Sequence, residues 1–282
     1  MLAKNFSRKI SPDPIHKVDL GFRAKKSLGQ NWLTNPAPLA RMIEAARLAA
    51  GETVLEVGPG TGSLTAALLA TGAKVVAVEK DDRLISLLQN KFAPEIKSGQ
   101  LTLIHKDILD FLKTPDASVG TPTLRRGYKL IANLPYYITG QLLRQVLTST
   151  HQPSLVVVML QKEVAERIVS KNNKESLLSI SVKIYGEPKY VATVRAGNFQ
   201  PVPKVDSAIL LIDQINKNKF VEAKVSEEKV FQILKQGFGS KRKMLKNNLG
   251  VEEEVLTLCT LDSKVRAEDL KLEDWLCLSK NI

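Results

Sequence analysis

Short apolar runs alternate with amphipathic stretches along the first two thirds of the chain. Thr53-Val54-Leu55-Glu56-Val57 reads as a buried strand. It is followed by the turn Gly58-Pro59-Gly60-Thr61-Gly62 and by helix-spaced Leu64, Ala67, Leu68 and Leu69 as far as Gly72. Residues 74–78 predict a second strand that ends at Glu79, and a helix over about 81–92 follows. Leu101–His105 predicts a third strand reaching Asp107, residues 128–132 climb to Asn133, and 155–160 form a fifth strand leading into a helix over 162–169. Upstream, Asn35-Pro36 predicts a helix start with Asn35 as its cap and Leu39, Met42, Ile43 and Ala46 as its buried face. Strands alternating with helices predict a doubly wound α/β domain whose parallel sheet is covered on both faces. The wholly apolar run 156–160 fits a strand buried on both sides.

The pattern then changes. Residues 189–194 and 208–212 are strand-like and bracket Asn198-Phe199-Gln200-Pro201-Val202-Pro203-Lys204-Val205-Asp206. Residues 214–222 are polar and basic and read as a linker, while 230–238, 243–249, 252–258 and 267–276 have helical spacing. The expected organisation is a catalytic domain over 1–214, with an irregular basic N-terminal extension, and a small all-helical domain over 215–282. Residues 114–127, with Pro115, Gly120, Pro122 and Gly127, read as a loop, and no internal repeat is visible.

Composition narrows the function classes. A hydrophobic fraction of 44% over 282 residues is ordinary for a globular protein, and no run approaches the roughly 18 apolar residues of a membrane span. The first residues lack the apolar core of a signal peptide, so a cytoplasmic location is expected. Cys259 and Cys277 are too few for a disulfide scaffold and read as buried thiols. His16, His105 and His151 stand far apart, so no metal site is expected. The net charge of +12 is uneven: residues 1–47 hold nine Lys and Arg against three acids, and 217–250 again nine against three. Two basic blocks flanking a balanced centre point to a phosphate backbone as partner, with a solvated lysine face as the alternative.

Candidate chemistry gathers where the strands end. Gly58, Gly60 and Gly62 are spaced G-x-G-x-G, which is neither the dinucleotide fingerprint, since Ser63 stands where its third glycine falls, nor a P-loop. Glu79, about twenty residues on, holds the position from which an acid takes a ribose diol, and Asp107 could accept from an adenine amino group. Together with Glu56 these acids imply an adenosine carrying a cationic tail rather than a phosphate. Asn133-Leu134-Pro135-Tyr136-Tyr137 offers an amide, backbone carbonyls and aromatic faces, which suit a planar amine or, equally, a capped strand-to-helix turn.

Taken with Leu28-Gly29-Gln30-Asn31-Trp32-Leu33, the 199–207 motif, Gln161-Lys162-Glu163-Val164-Ala165-Glu166-Arg167, Lys241-Arg242-Lys243 and Asn247-Asn248-Leu249, these motifs resemble the KsgA-type rRNA adenine dimethyltransferases from about Lys25 onward. The resemblance implies a Rossmann-like domain that uses S-adenosylmethionine (SAM) to make N6,N6-dimethyladenosine from two adjacent adenosines near the 3′ end of 16S rRNA, within the 30S subunit or its precursor. It implies a monomer acting in ribosome biogenesis. Carried over by motif, Asn31, Leu33, Gly58, Glu79, Asp107 and Asn133 would bind the cofactor. Asn133, Leu134, Pro135, Tyr136 and Phe199 would take the target adenine, with Tyr137 left to packing. Arg23, Lys25, Lys26, Lys241, Arg242, Lys243 and Lys246 would grip RNA phosphates. Position 32 is Trp where the family more often has Phe. An Erm-type enzyme acting on 23S rRNA, an assembly or transcription factor retaining the fold, and a DNA adenine methyltransferase are the rival readings.

Overall fold

The computed structural model describes residues 24, 25, 28–113, 124 and 127–282; Arg23, Lys26 and nearly all of the expected 114–127 loop lie outside them. Among the described residues nine strands form two sheets: β1 (Trp32–Leu33), β2 (Thr53–Val57), β3 (Lys74–Glu79), β4 (Leu101–His105), β5 (Lys129–Asn133), β6 (Leu155–Gln161), β7 (Glu187–Val194), β8 (Phe199–Gln200) and β9 (Ser207–Asp213). Seven of them make the main sheet in the order β4-β3-β2-β5-β6-β9-β7. The first five run parallel, but β9 is antiparallel to both β6 and β7, so the sheet is mixed rather than wholly parallel. From β2 the chain winds outward through β3 to β4, then returns to β5 and winds the other way. The carboxyl ends of β2 and β5 therefore form a topological switch point, where such sheets bind ligands.

Helices α1 (Ala37–Ala46), α2 (Ser63–Leu69), α3 (Asp82–Lys91), α4 (Ala93–Ser98), α5 (Ile108–Phe111), α6 (Thr139–Thr148), α7 (Lys162–Ile168) and α8 (Leu177–Lys183) cover the sheet. Alternating strand residues divide between two cores. Val54, Val75, Ala77, Ile131 and Val157 pack with α1 and α2, whereas Leu55, Val57, Val76, Leu130 and Val156 pack with α6 on the other face. Helix α1 begins one residue later than Asn35-Pro36 predicts, because Asn35 Oδ1 accepts from the Ala37 N–H at 2.9 Å while Pro36 fills the cap position.

Helices α9 (Asn218–Ala223), α10 (Glu227–Gly237), α11 (Leu245–Leu249), α12 (Glu253–Leu258) and α13 (Leu272–Asn281) complete the chain. The stretch read as a linker is thus largely helix α9, seated by its buried Phe220. The core beneath α6 continues through Val230, Leu234 and the fully buried Trp275, which stacks on Phe238 at 5.1 Å. Tyr185 Oη donates to Glu227 at 2.6 Å, tying α10 to the sheet side. Cys259 and Cys277 are not separate thiols: they are joined in a disulfide, because α12 ends against α13 and brings their Cα atoms to 5.8 Å. Among the described residues no helix is long and apolar enough to cross a membrane.

Candidate functional site

The turn after β2 begins the site. Gly58, Gly60 and Gly62 all take left-handed backbone angles, so the chain reverses in five residues and α2 starts at once. Among the described residues none beyond its two chain neighbours comes within 4 Å of where a Gly58 Cβ would stand, which leaves a bare stretch of backbone facing the cavity. Glu79, at the end of β3, is 5% exposed and accepts from the Lys80, Asp81 and Gly60 N–H groups at 2.9, 2.8 and 3.1 Å. Burial raises its pKa, and those three N–H groups oppose the shift. Asp107, beyond β4, caps α5 through the Leu109 N–H at 2.8 Å and accepts from Lys80 Nζ at 2.8 Å. Burial works to raise the Asp107 pKa, but Lys80 and the cap outweigh it and hold the carboxylate below its ordinary range.

Asn133 closes β5 half-buried, and its amide has no hydrogen-bond partner among the described residues. The Leu134 N–H is spent on Met159 O at 3.0 Å and the Pro135 carbonyl on the Ile138 N–H at 3.2 Å. The Leu134 carbonyl has no partner among the described residues, so it rather than Pro135 is the open acceptor beside Asn133. A single 3₁₀ turn, Tyr136–Ile138, then points Ile138 inward and holds Tyr136 half-buried, its hydroxyl 2.8 Å from Ser207 Oγ. Tyr137 is 60% exposed and lines the cavity beside Gly29, so its assignment to packing is corrected: with three residues to the turn, Ile138 takes the core side and Tyr137 does not.

The N-terminal knot closes the cavity from above. β1 pairs with β8, setting Leu33 opposite Phe199, and both are buried. Asn31 Nδ2 donates to Gly29 O at 3.2 Å. Beneath the knot, Asp81 accepts from Gln30 Nε2 at 2.8 Å, Lys25 Nζ at 3.0 Å and Arg83 Nη2 at 2.6 Å. The Arg83 guanidinium leads in holding the Asp81 carboxyl far below its usual range, helped by Gln30 and Lys25 against the cost of burial. Lys25 is thus committed to Asp81 and serves the knot in this conformation.

One cavity is lined by Asn31, Leu33, Gly58, Glu79, Asp107, Asn133, Leu134, Pro135, Tyr136 and Phe199, so every cofactor and target residue taken from the sequence meets there. Lys241, Arg242 and Lys243 are exposed and do not line it; they lie between α10 and α11, and Lys246 is 3.4 Å from Glu253. Sequence reasoning missed the Asp81 anchor, the Ser207 tether and the state of Glu56. Glu56 is 1% exposed, and among the described residues neither of its oxygens nor the nearby Thr65 hydroxyl has a partner in good hydrogen-bond geometry. Burial pushes its pKa up to about 8; nearby Thr65 opposes the shift and the charge of Glu79 adds to it. Only its place two residues before a glycine turn marked it. Among the described residues no group of three or more His, Cys, Asp or Glu could hold a metal ion.

Comparison with known proteins adds independent information. The family model for ribosomal RNA adenine dimethylase matches residues 21–282. The ribosomal RNA small subunit methyltransferase A of Dehalococcoides mccartyi (strain CBDB1) is 43% identical over 268 residues, covering 91% of this chain and 88% of that one. Its counterpart from Geobacter sulfurreducens is 38% identical over 275 residues, covering 93% and 96%. Among solved structures, a dimethyladenosine transferase from Plasmodium falciparum is similar with a TM-score of 0.68 at 26% identity, covering 87% of this chain and 95% of that one. The 23S rRNA methyltransferase ErmE has the same TM-score of 0.68 at 22% identity, covering 89% and 99%, and shares the fold. The architecture is that of a Rossmann-like methyltransferase followed by helices.

Proposed function

The chain belongs to the ribosomal RNA adenine dimethylase family, and from this premise we propose that it methylates two adjacent adenosines near the 3′ end of 16S rRNA. The product would be N6,N6-dimethyladenosine in the small subunit or its precursor, with SAM as donor. The cavity fits that donor: Glu79 stands for the ribose, Asp107 for the adenine, and the bare Gly58 backbone and unpaired Glu56 for the amino-acid end. When bound, its sulfonium supplies an electrophilic methyl group.

The observation that carries the reading is the pair of open acceptors at the end of β5, the Asn133 side-chain oxygen and the Leu134 carbonyl. An adenine N6 is a weak nucleophile because its lone pair is delocalised into the ring. Two acceptors that take its two hydrogens draw the nitrogen toward tetrahedral geometry and free that lone pair. No strong base is needed, since the departing proton turns acidic only as the new N–C bond forms. The residues therefore work by positioning and by fixed dipoles. Tyr136, steadied by Ser207, presents an aromatic face for the base, and stacking of this kind contributes about 1–3 kcal/mol.

The test is incubation with labelled SAM and, in turn, unmethylated 30S subunits, naked 16S rRNA, 23S rRNA and duplex DNA, followed by digestion. Labelled dimethyladenosine is expected from the small-subunit substrate; label confined to 23S rRNA would overturn the assignment. Asn133→Ala should cut transfer by roughly 10²–10³-fold with the fold intact. Near-normal turnover in that variant would sink the mechanism.

A further inference from the structure

A lysine on the wall of a cavity that takes a cationic cofactor calls for an explanation, and Lys80 is such a residue. Its backbone follows directly on Glu79, to whose carboxylate its own N–H donates at 2.9 Å. Its side chain crosses toward the end of the neighbouring strand, where Nζ donates to Asp107 Oδ2 at 2.8 Å. Lys80 therefore runs from the acid that stands for the ribose to the acid that stands for the adenine. The pair is no buried structural tie. The Lys80 side chain is 53% exposed and that of Asp107 27%, and ion pairs so open to solvent contribute little to stability. What the pair offers is unspent capacity. An ammonium has three N–H groups, and among the described residues Lys80 Nζ hydrogen-bonds through one of them, to Asp107. Asp107 accepts one hydrogen bond on each oxygen, from Leu109 and from Lys80, and each oxygen has room for a second. A charged donor and a charged acceptor thus stand side by side on the cavity wall. The edge of an adenine carries the complementary pattern: its N6 amino group donates, and the ring nitrogens on either side of it accept.

We propose that Lys80 is a cofactor-binding residue whose ammonium, held in place by Asp107, donates to a ring nitrogen of the SAM adenine beside the amino group that Asp107 accepts. The proposal rests on the reading that SAM is the donor. Asp107 alone reads an amino group; with Lys80 the site reads a donor and an acceptor together, and the added hydrogen bond is charge-assisted. Asp107 also offsets the lysine charge that would otherwise oppose the sulfonium.

Calorimetric titration of the full-length chain tests it with S-adenosylhomocysteine, the demethylated product, and with its 1-deaza and 7-deaza counterparts, each of which lacks one ring nitrogen beside the amino group. Wild type should bind S-adenosylhomocysteine roughly five- to tenfold more tightly than at least one deaza ligand. Lys80→Met, which keeps the length of the stem, should weaken S-adenosylhomocysteine by about that factor and bind the same deaza ligand as wild type does, which also shows that the variant is folded. Ratios between ligands that are equal in the two proteins overturn the assignment. So does a wild type that distinguishes neither deaza ligand, or a variant that binds S-adenosylhomocysteine as tightly as wild type or more so, since the ammonium would then be idle or obstructive. The donor reading fails separately if wild type binds neither SAM nor S-adenosylhomocysteine.

Discussion

Glu56 shows what one residue contributes when its environment is set for a ligand. In an unfolded chain its carboxyl titrates near the ordinary 4.5; in the folded, ligand-free protein burial lifts it to about 8. The folded state then holds a proton that the unfolded state has released, so this group lowers stability as pH rises from about 4.5 to about 8. Below that window the effect is absent and above it is complete. Glu56→Gln should therefore melt above wild type at pH 8.5, by roughly 2–4 °C for each kcal/mol relieved, and lose that advantage toward pH 5. Melting curves across this range check the account, and a difference that does not vary with pH would contradict it. The same residues show why part of the site was legible in the sequence. Glu79 and Asn133 end apolar strands and Asp107 stands two residues past another, and in a doubly wound sheet strand ends converge. Asp81 and Ser207 work through partners 51 and 71 positions away, and no local pattern encodes such pairings.

At the scale of elements, the glycine turn divides into positions with different duties. An alanine Cβ at Gly62 would stand 2.5 Å from Phe92 Cε2, and its φ of +80° disfavours any side chain. At Gly58 the backbone angle is similar, but the space belongs to the cavity. Gly62→Ala should thus cost roughly 1–3 kcal/mol of folding stability in denaturant titration, by forcing α2 away from α3. Gly58→Ala should lose cofactor affinity with a smaller change in stability. The reverse ranking would mean the turn was misassigned. Most strands fell within a residue or so of their predicted bounds because each apolar run stops at a polar or glycine residue. The position of β9 did not show, since apolar runs declare burial but not the direction of their neighbours. β1 and β8, two residues each, are too short for any periodicity. Helix α8, Leu-Leu-Ser-Ile-Ser-Val-Lys, has β-branched residues that obscure its character; the capping box between Ser176 and Ser179 starts it.

Over the whole molecule, charge separates two functions that the sequence had joined. Lys25 reads as part of a basic N-terminal block, yet its ammonium pairs with Asp81 and holds the knot over the cavity. Lys241, Arg242 and Lys243 are exposed and form no ion pair among the described residues, while Lys246 is drawn to Glu253. Free cations on a protein of net charge +12 are available to phosphates, whereas paired ones must first break a contact. The block between α10 and α11 should accordingly carry a larger share of substrate binding than Lys25. Each phosphate contact to a single strand steepens the fall of log affinity with log salt by about 0.7. Replacing Lys241, Arg242 and Lys243 together by Ala should flatten the slope for 30S substrate by roughly 2, with SAM affinity unchanged because none of the three lines the cavity. Lys25→Ala should do the opposite, weakening SAM binding through the loosened knot while leaving most of the slope in place. Affinities measured from 50 to 200 mM salt separate the two, and equal slopes in wild type and the triple variant would remove the block from the RNA interface.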